Sequence, residues 1–210
     1  MAEQKIKIEI FRNKTVEEFT KVLADPDSRI DTGSAAASVA AVAAALLCRS
    51  ARLTAASGKE RTREEEERVD WLVRNTEILR DYMVKLVDED VRCRGPLRRA
   101  LKEGDPQRIE AARQTAVSIC NEVIHMMGTG MEMAEELAQL SDCEARQYVR
   151  EGAELCLAAA KSSLPFILHL ASLSPDETYR YVTRREQELG FRQLEERYQS
   201  VLSVTSFPVA

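Results

Sequence analysis

The residues with the clearest chemical potential lie at the start of a helix rich in alanine. Residues 31–34 read Asp-Thr-Gly-Ser and lead into a run of small side chains, mostly alanine, that extends to residue 45. Small side chains let neighbouring helices approach closely. The backbone N–H groups of a helix's first turn have no partner inside the helix, so they can bind an anion. The sequence therefore predicts a ligand site at this helix start, at Thr32, Gly33 and Ser34.

A basic cluster further along the chain could also bind a ligand. Its members are Arg92, Arg94, Arg98, Arg99 and Lys102. Guanidinium groups form two-point hydrogen bonds with carboxylates, so this cluster could hold a carboxylate-bearing ligand. Arginine-rich helix ends are also common on solvated surfaces, and the cluster could equally balance the acidic remainder of the chain.

The cysteines and histidines indicate no catalytic or metal centre. The chain has five widely spaced cysteines without a C-x-x-C pair, and two histidines that lie far apart. They are Cys48, Cys93, Cys120, Cys143, Cys156, His125 and His169. Zinc and redox sites use such residues at short, regular spacings, and no phosphate-binding or dinucleotide motif is present either. We predict reduced thiols, packed histidines and no metal.

Composition and charge argue against several classes of protein. The 210 residues carry a formal net charge of -5, whereas a general nucleic-acid binder needs an excess of lysine and arginine. Residues 1–14 are polar and lack the apolar segment of a signal peptide. The longest apolar run, residues 35–48, is too short to cross a bilayer. These features predict a cytoplasmic protein without a nucleic-acid or membrane partner.

Helical start and stop signals divide the first part of the chain. Thr15 and Glu18 match a capping box, which begins a short helix ending near Ala24. The small-residue helix is expected over about residues 34–54. Gly58 follows it, as is common after the end of a helix.

Two long helices are expected next. A charged run at residues 61–68 begins the third helix, which we expect to end by the Gly-Pro pair at residues 95–96. A fourth helix begins after Pro106. Within it, Gly128 and Gly130 mark a kink or a point of close packing.

The remaining sequence predicts two further helices. The Ser-Asp pair at residues 141–142 begins the fifth helix, which we expect to be interrupted at Pro165. Ser174 as the cap and Pro175 as the first helical residue begin the last helix, which extends to about Leu202.

The fold class predicted from these elements is all-α. We expect a bundle of long antiparallel helices that forms a single domain over residues 15–205. Residues 1–14 form an N-terminal extension, in which residues 5–10 alternate as a short strand or extended arm without a partner strand.

Several short motifs occur in the order and at about the spacings of one known family. They are Thr-Val-Glu-Glu-Phe at 15–19, Thr-Gly-Ser at 32–34, Leu-Thr at 53–54, Gly-Lys at 58–59, Asp-Glu-Asp at 88–90 and Ser-Asp at 141–142. Over about residues 14–173 this pattern resembles the cyclodeaminase/cyclohydrolase family. The family comprises the folate-handling helical domain of formiminotransferase-cyclodeaminase and the free-standing methenyltetrahydrofolate cyclohydrolases. The resemblance implies a homodimer that acts on a tetrahydrofolate derivative without a metal.

The resemblance implies that Asp88 and Asp90 are the catalytic candidates. Hydrolysis of a methenyl bridge, or loss of ammonia from a formimino group, passes through cationic species that a carboxylate can stabilise. Residues two apart on a helix point about 200° apart, so both carboxylates cannot face one pocket. We favour Asp90, which falls on the apolar stripe of its helix. The alternative is that Asp90 merely lies near a fraying helix end.

The resemblance also implies the residues that contact the ligand. The helix start with Thr32, Gly33 and Ser34 would hold the pterin or its tail, and Arg94 of the basic cluster would hold the glutamate tail. Asp142 would be a further contact, but its position after Ser141 equally fits an N-cap or an acid in the first helical turn.

The loop before the small-residue helix departs from the family pattern. The family sequence is typically Pro-x-Pro-Gly-Gly-Gly-Ser, whereas residues 28–34 read Ser-Arg-Ile-Asp-Thr-Gly-Ser. Glycine allows close backbone approach, so Asp31 and Thr32 narrow the loop and add a negative charge. Two functions follow. One is a folate-dependent cyclohydrolase or cyclodeaminase, and the other is a non-catalytic ligand-binding or assembly subunit.

Overall fold

A computed structural model describes residues 10–206, which form six helices. They are α1 (Val16–Ala24), α2 (Thr32–Ala56), α3 (Arg63–Glu103), α4 (Pro106–Leu140), α5 (Cys143–Ser172) and α6 (Glu177–Val204). No strand occurs within residues 10–206, and the all-α prediction is confirmed. The predicted strand at residues 5–10 lies outside the described residues, apart from Ile10.

Side-chain caps fix where the helices begin. The capping box predicted at Thr15 is present at the start of α1. Helix α2 begins two residues earlier than expected, at Thr32, because Asp31 serves as its N-cap. Helix α6 begins later than expected, because Asp176 and not Ser174 accepts the N–H groups of the first turn. A carboxylate is well suited to this position, since it also complements the positive end of the helix.

Two prolines do not end or interrupt their helices, so these two predictions were wrong. Pro96 lies inside α3 and Pro165 inside α5. An internal proline removes a hydrogen bond and costs about 3 kcal/mol. Both helices continue because their following turns place Leu97 and Ile167 in a small apolar cluster shared with α4. Helix α3 ends instead at Gly104, which has a positive φ of 70°.

Helix α2 is the centre of the bundle. It packs against α3, α4 and α5, and it runs antiparallel to both α3 and α5. A Cβ on Gly152 of α5 would come within 2.8 Å of Leu47 in α2, so α5 needs glycine to approach this closely. Gly130 of α4 is similarly enclosed, which confirms the predicted close packing there. Gly128 faces open space.

Helices α2 and α5 are long and apolar enough to span a membrane by length and composition alone. In the most apolar 18-residue stretch of each helix, 56% is buried inside the bundle for α2 and 44% for α5. The core helices of a helical bundle meet the same criteria, because they are apolar on several sides. The absence of a membrane partner stays a prediction.

Candidate active site at the start of helix α2

The loop before α2 is shaped by short polar side chains. The Ser28 hydroxyl accepts the N–H group of Ile30 at 3.2 Å, a contact typical of turns. Ile30 is buried in the core and anchors the loop. Asp31 then caps α2, because its Oδ1 accepts the N–H group of Thr32 at 2.7 Å.

Asp90 of α3 lies directly beneath the start of α2. Its side chain is 0% exposed. Its Oδ2 accepts the N–H group of Ser34 at 3.0 Å and the hydroxyl of Ser34 at 3.1 Å. Gly33 leaves the space that the carboxylate occupies. The anion site predicted at this helix start is therefore occupied by a carboxylate of the same chain.

Arg94 connects Asp90 to the loop. Its Nε donates to Asp90 Oδ1 at 3.0 Å, and its Nη1 donates to Asp31 Oδ2 at 2.5 Å. The guanidinium is buried and lies over the ring of Phe166, 3.7 Å from the ring centroid. Removing these charges from water is costly, and their mutual hydrogen bonds offset that cost. Asp31, Arg94 and Asp90 thus form one ionic unit, which we call the Asp31–Arg94–Asp90 unit.

A cleft of about 560 Å³ opens beside this unit, and its size falls in the range of small-molecule sites. Its walls are the α1–α2 loop, the first two turns of α2 and Ser162 of α5. The charged side chains that line it, among residues 10–206, are Asp25 and Asp31. Small residues of α2, including Ala35 and Ala36, form an apolar wall. The cleft combines carboxylates, hydroxyls and an apolar surface.

The structure brings four of the predicted binding residues together around Asp90, but in different roles. Thr32 lines the cleft. Gly33 and Ser34 are buried, and the Ser34 side chain turns inward to Asp90. Arg94 is already paired with two carboxylates and does not line the cleft.

A family model for formiminotransferase-cyclodeaminase matches residues 15–188 of this chain. The chain belongs to the formiminotransferase-cyclodeaminase family. This match confirms the resemblance drawn from the short motifs.

Among solved structures, the chain is similar to the formiminotetrahydrofolate cyclodeaminase from Thermotoga maritima. The TM-score is 0.84 at 23% sequence identity, and the match covers 92% of this chain and 96% of that chain. This likeness shows that the two proteins share a fold. No curated protein matches the chain.

Asp88, the other catalytic candidate that the formiminotransferase-cyclodeaminase resemblance implied, faces a different part of the molecule from Asp90. Its Oδ1 accepts the N–H group of Phe11 at 2.6 Å and that of Arg12 at 3.3 Å. The Arg12 guanidinium lies 3.4 Å from Asp88 Oδ2. Phe11 is buried in the main core. Asp88 therefore holds the N-terminal segment against α3 and does not line the cleft.

Asp142 lies at the opposite end of α2. It is the N-cap of α5, and its side chain accepts the N–H group of Ala145 at 3.0 Å. The preceding Ser141 is buried and makes a hydroxyl contact with Thr54 at 2.7 Å. Thr54 is 20 residues after Ser34, which corresponds to about 30 Å along the helix. The structure thus separates Asp142 from the cleft.

Sequence reasoning missed two residues of this family member's cleft and misjudged a third. Ser162 lines the cleft only because α5 packs antiparallel to α2, which no local pattern reveals. Asp25 follows α1 directly and gave no signal beyond a turn. In the sequence, Asp31 was noted only as a departure from the family's loop pattern. Its position directly before Thr-Gly-Ser is nevertheless typical of an N-cap.

Metal binding was predicted to be absent. Within residues 10–206, no group of three or more His, Cys, Asp or Glu side chains is placed to hold a metal ion. The absence of a metal stays a prediction.

Proposed function

We propose that this protein is a folate-dependent enzyme of the cyclohydrolase or cyclodeaminase type, and that its ligand binds in the cleft beside Asp31 and Thr32. The membership of the formiminotransferase-cyclodeaminase family carries this proposal. The cleft supports it, since it has the size of a small-molecule site and carries carboxylates at its wall.

The proposed chemistry requires negative charge near the one-carbon group. In the methenyl bridge that water opens, positive charge is already shared by an amidinium carbon and its two nitrogens. Ring closure of a formimino group with loss of ammonia forms the same cation. A fixed carboxylate stabilises this charge and can accept a proton. The tetrahydrofolate derivative is the substrate, and the family resemblance implies no metal for the reaction.

Asp90 has a positioning role in this proposal. It has no exposed surface, and its oxygens accept hydrogen bonds from Ser34 and Arg94. Through these contacts it fixes the first turn of α2 and the guanidinium that holds Asp31. Loss of its charge is expected to displace the cleft wall, and small displacements of catalytic groups can cost up to about 10²-fold in rate.

The test follows the near-ultraviolet absorbance of 5,10-methenyltetrahydrofolate, and separately ammonia release from 5-formiminotetrahydrofolate. We expect the native protein to accelerate one of these reactions above its spontaneous rate. Asp90→Asn should lower kcat more than it changes KM, whereas the exposed loop variant Asp27→Asn should match the native protein. If neither reaction is accelerated, and neither compound raises Tm, the proposal is wrong.

We also propose that the protein is a cytoplasmic homodimer, as the family resemblance implies. The outward face of α2 supports this, because Val42 is 53% exposed and Val39 and Leu46 lie beside it, half-buried. An apolar stripe of this kind is suited to a helix-packing interface between two copies.

A further inference from the structure

The charged groups of the cleft all have the same sign. Asp25 and Asp31 are the carboxylates in its lining, and no lysine, arginine or histidine of residues 10–206 joins them there. The other polar groups are the hydroxyls of Ser28, Thr32 and Ser162, which can donate or accept. The carboxylate tail of a ligand would find no cation in this lining.

Asp31 has the capacity to bind a ligand in addition to its contacts within the chain. Its Oδ1 accepts from the Thr32 N–H group and hydroxyl, and its Oδ2 accepts from Arg94. A carboxylate has about four acceptor positions in total, two on each oxygen. The Asp31 side chain is 49% exposed, and it faces the cleft.

The arginines near Asp31 do not line the cleft. Arg94 is 4% exposed at its side chain and shares its charge with Asp90, which is fully buried. Arg98 approaches Asp31 Oδ2 only to 4.0 Å, and it donates a shorter hydrogen bond of 2.6 Å to the carbonyl of Arg29. Arg29 belongs to the same loop but not to the lining. Asp90 therefore offsets the charge of Arg94, and Asp31 presents a negative face to the cleft.

We propose that Asp31 determines which ligands enter this cleft by charge, favouring a planar cation of the amidine type over neutral or anionic molecules of the same shape. The cationic N–H groups would donate to Asp31, and the flat skeleton of the ligand would lie against Ala35. The inference rests on the proposed function in that both place the ligand in the same cleft. It specifies that the amidinium end of the substrate, and not its carboxylate tail, meets the α1–α2 loop.

The experiment compares three molecules of nearly equal shape: benzamidinium, benzamide and benzoate. Binding of each to the full-length protein is measured by titration with NMR detection at pH 7. We expect benzamidinium to bind most tightly and benzoate least. Asp31→Asn keeps an N-cap acceptor for α2 while the charge is removed, and circular dichroism checks that its helices match those of the native protein. It should weaken benzamidinium about threefold to fivefold, the worth of a partly exposed ion pair, and leave benzamide unchanged.

Asp27→Asn is the matched control, because Asp27 is an exposed carboxylate of the same loop that does not line the cleft. It should leave all three affinities as they are. Equal binding of benzamidinium and benzamide to the native protein overturns the inference, as does an Asp31→Asn variant that keeps the full preference. The inference is also overturned if Asp27→Asn loses the preference for benzamidinium as strongly as Asp31→Asn does. That result would show that only the total charge of the loop matters.

Failure of this inference is distinguishable from failure of the proposed function. A protein that turns over 5,10-methenyltetrahydrofolate but shows no preference for benzamidinium retains the proposed function and loses the inference. A protein that is inactive on both folates but prefers benzamidinium in an Asp31-dependent way loses the proposed function and retains the charge selection.

Discussion

A Cβ atom on Gly33 would lie 2.1 Å from Oδ1 of Asp90. Non-bonded contacts of a Cβ atom are never this short. The carboxylate of Asp90 can therefore be buried at this place only because residue 33 has no side chain. The first turn of helix α2 is in direct contact with this carboxylate through Ser34. The glycine retained from the family's loop therefore makes room for the chain's own aspartate.

Gly33→Ala should consequently destabilise the protein. Asp90 cannot move away without breaking its hydrogen bonds to Ser34 and Arg94. Overpacking of this kind costs about 1–3 kcal/mol, measurable by urea unfolding followed by circular dichroism. Gly128→Ala is the control, since a Cβ there meets nothing within 4 Å and alanine favours the helix interior by up to about 1 kcal/mol. Equal stability of the two variants would contradict the close packing of Gly33 against Asp90.

Variants of Asp88 test whether this residue is catalytic or structural. Asp88→Ala leaves the buried N–H group of Phe11 without its acceptor, which costs about 1–3 kcal/mol. Asp88→Asn keeps an acceptor oxygen and should lose much less stability. Hydrogen exchange at Phe11 is expected to accelerate in Asp88→Ala alone. If Asp88→Asn abolished turnover while unfolding like the native protein, Asp88 would be catalytic and not merely structural.

The helices could largely be predicted from sequence, because caps and apolar periodicity are local signals. Thr15 and Asp142 lie at the helix starts that the sequence indicated. The predicted starts of α2 and α6 were misplaced because their local caps, Asp31 and Asp176, were not recognised. The breaks predicted at two prolines were wrong because distant packing outweighed local preference. Pro96 and Pro165 stay inside helices because the turns after them bury apolar side chains against α4.

The site was predictable only in its individual residues. Residues 32–34, Asp90 and Arg94 were identified as candidate site residues, but neither the role of Asp31 nor the contacts that join these residues were predicted. The Arg94–Asp31 ion pair spans 63 residues and depends on the register between α2 and α3. That register is set by packing along 25 and 41 residues of the two helices, which no single motif encodes.

The thiols should differ sharply in reactivity. Burial raises the pKa of the Cys120 thiol to about 11, although the nearby Arg94 guanidinium acts in the opposite direction. Burial raises the pKa of Cys156 to about 12. Alkylation requires the thiolate, of which about one part in 10³ would be present at Cys120 at pH 8. Iodoacetamide should therefore modify the exposed Cys143 first, as mass spectrometry of the native protein can show.

The pH dependence of this labelling has a definite sign. Modification of Cys120 should accelerate as pH rises from 8 towards its pKa, for as long as the fold persists. In urea, where burial is lost, Cys120 and Cys143 should react at similar rates. Native Cys120 reacting as fast as Cys143 at pH 8 would mean that the packing around Arg94 opens readily.

The proposed homodimer leads to a test on the outward face of α2. A charge at Val42 would be buried in an interface built on this helix, where an unpaired carboxylate is strongly unfavourable. Val42→Glu should therefore sediment as a single chain of 23.6 kDa, while the native protein sediments at twice that mass. Leu189→Glu on α6 introduces the same charge at a side chain of similar exposure and should leave the dimer intact. If the native protein sediments as one chain, the proposed homodimer is wrong. If Val42→Glu is still a dimer, the interface does not lie on this face of α2.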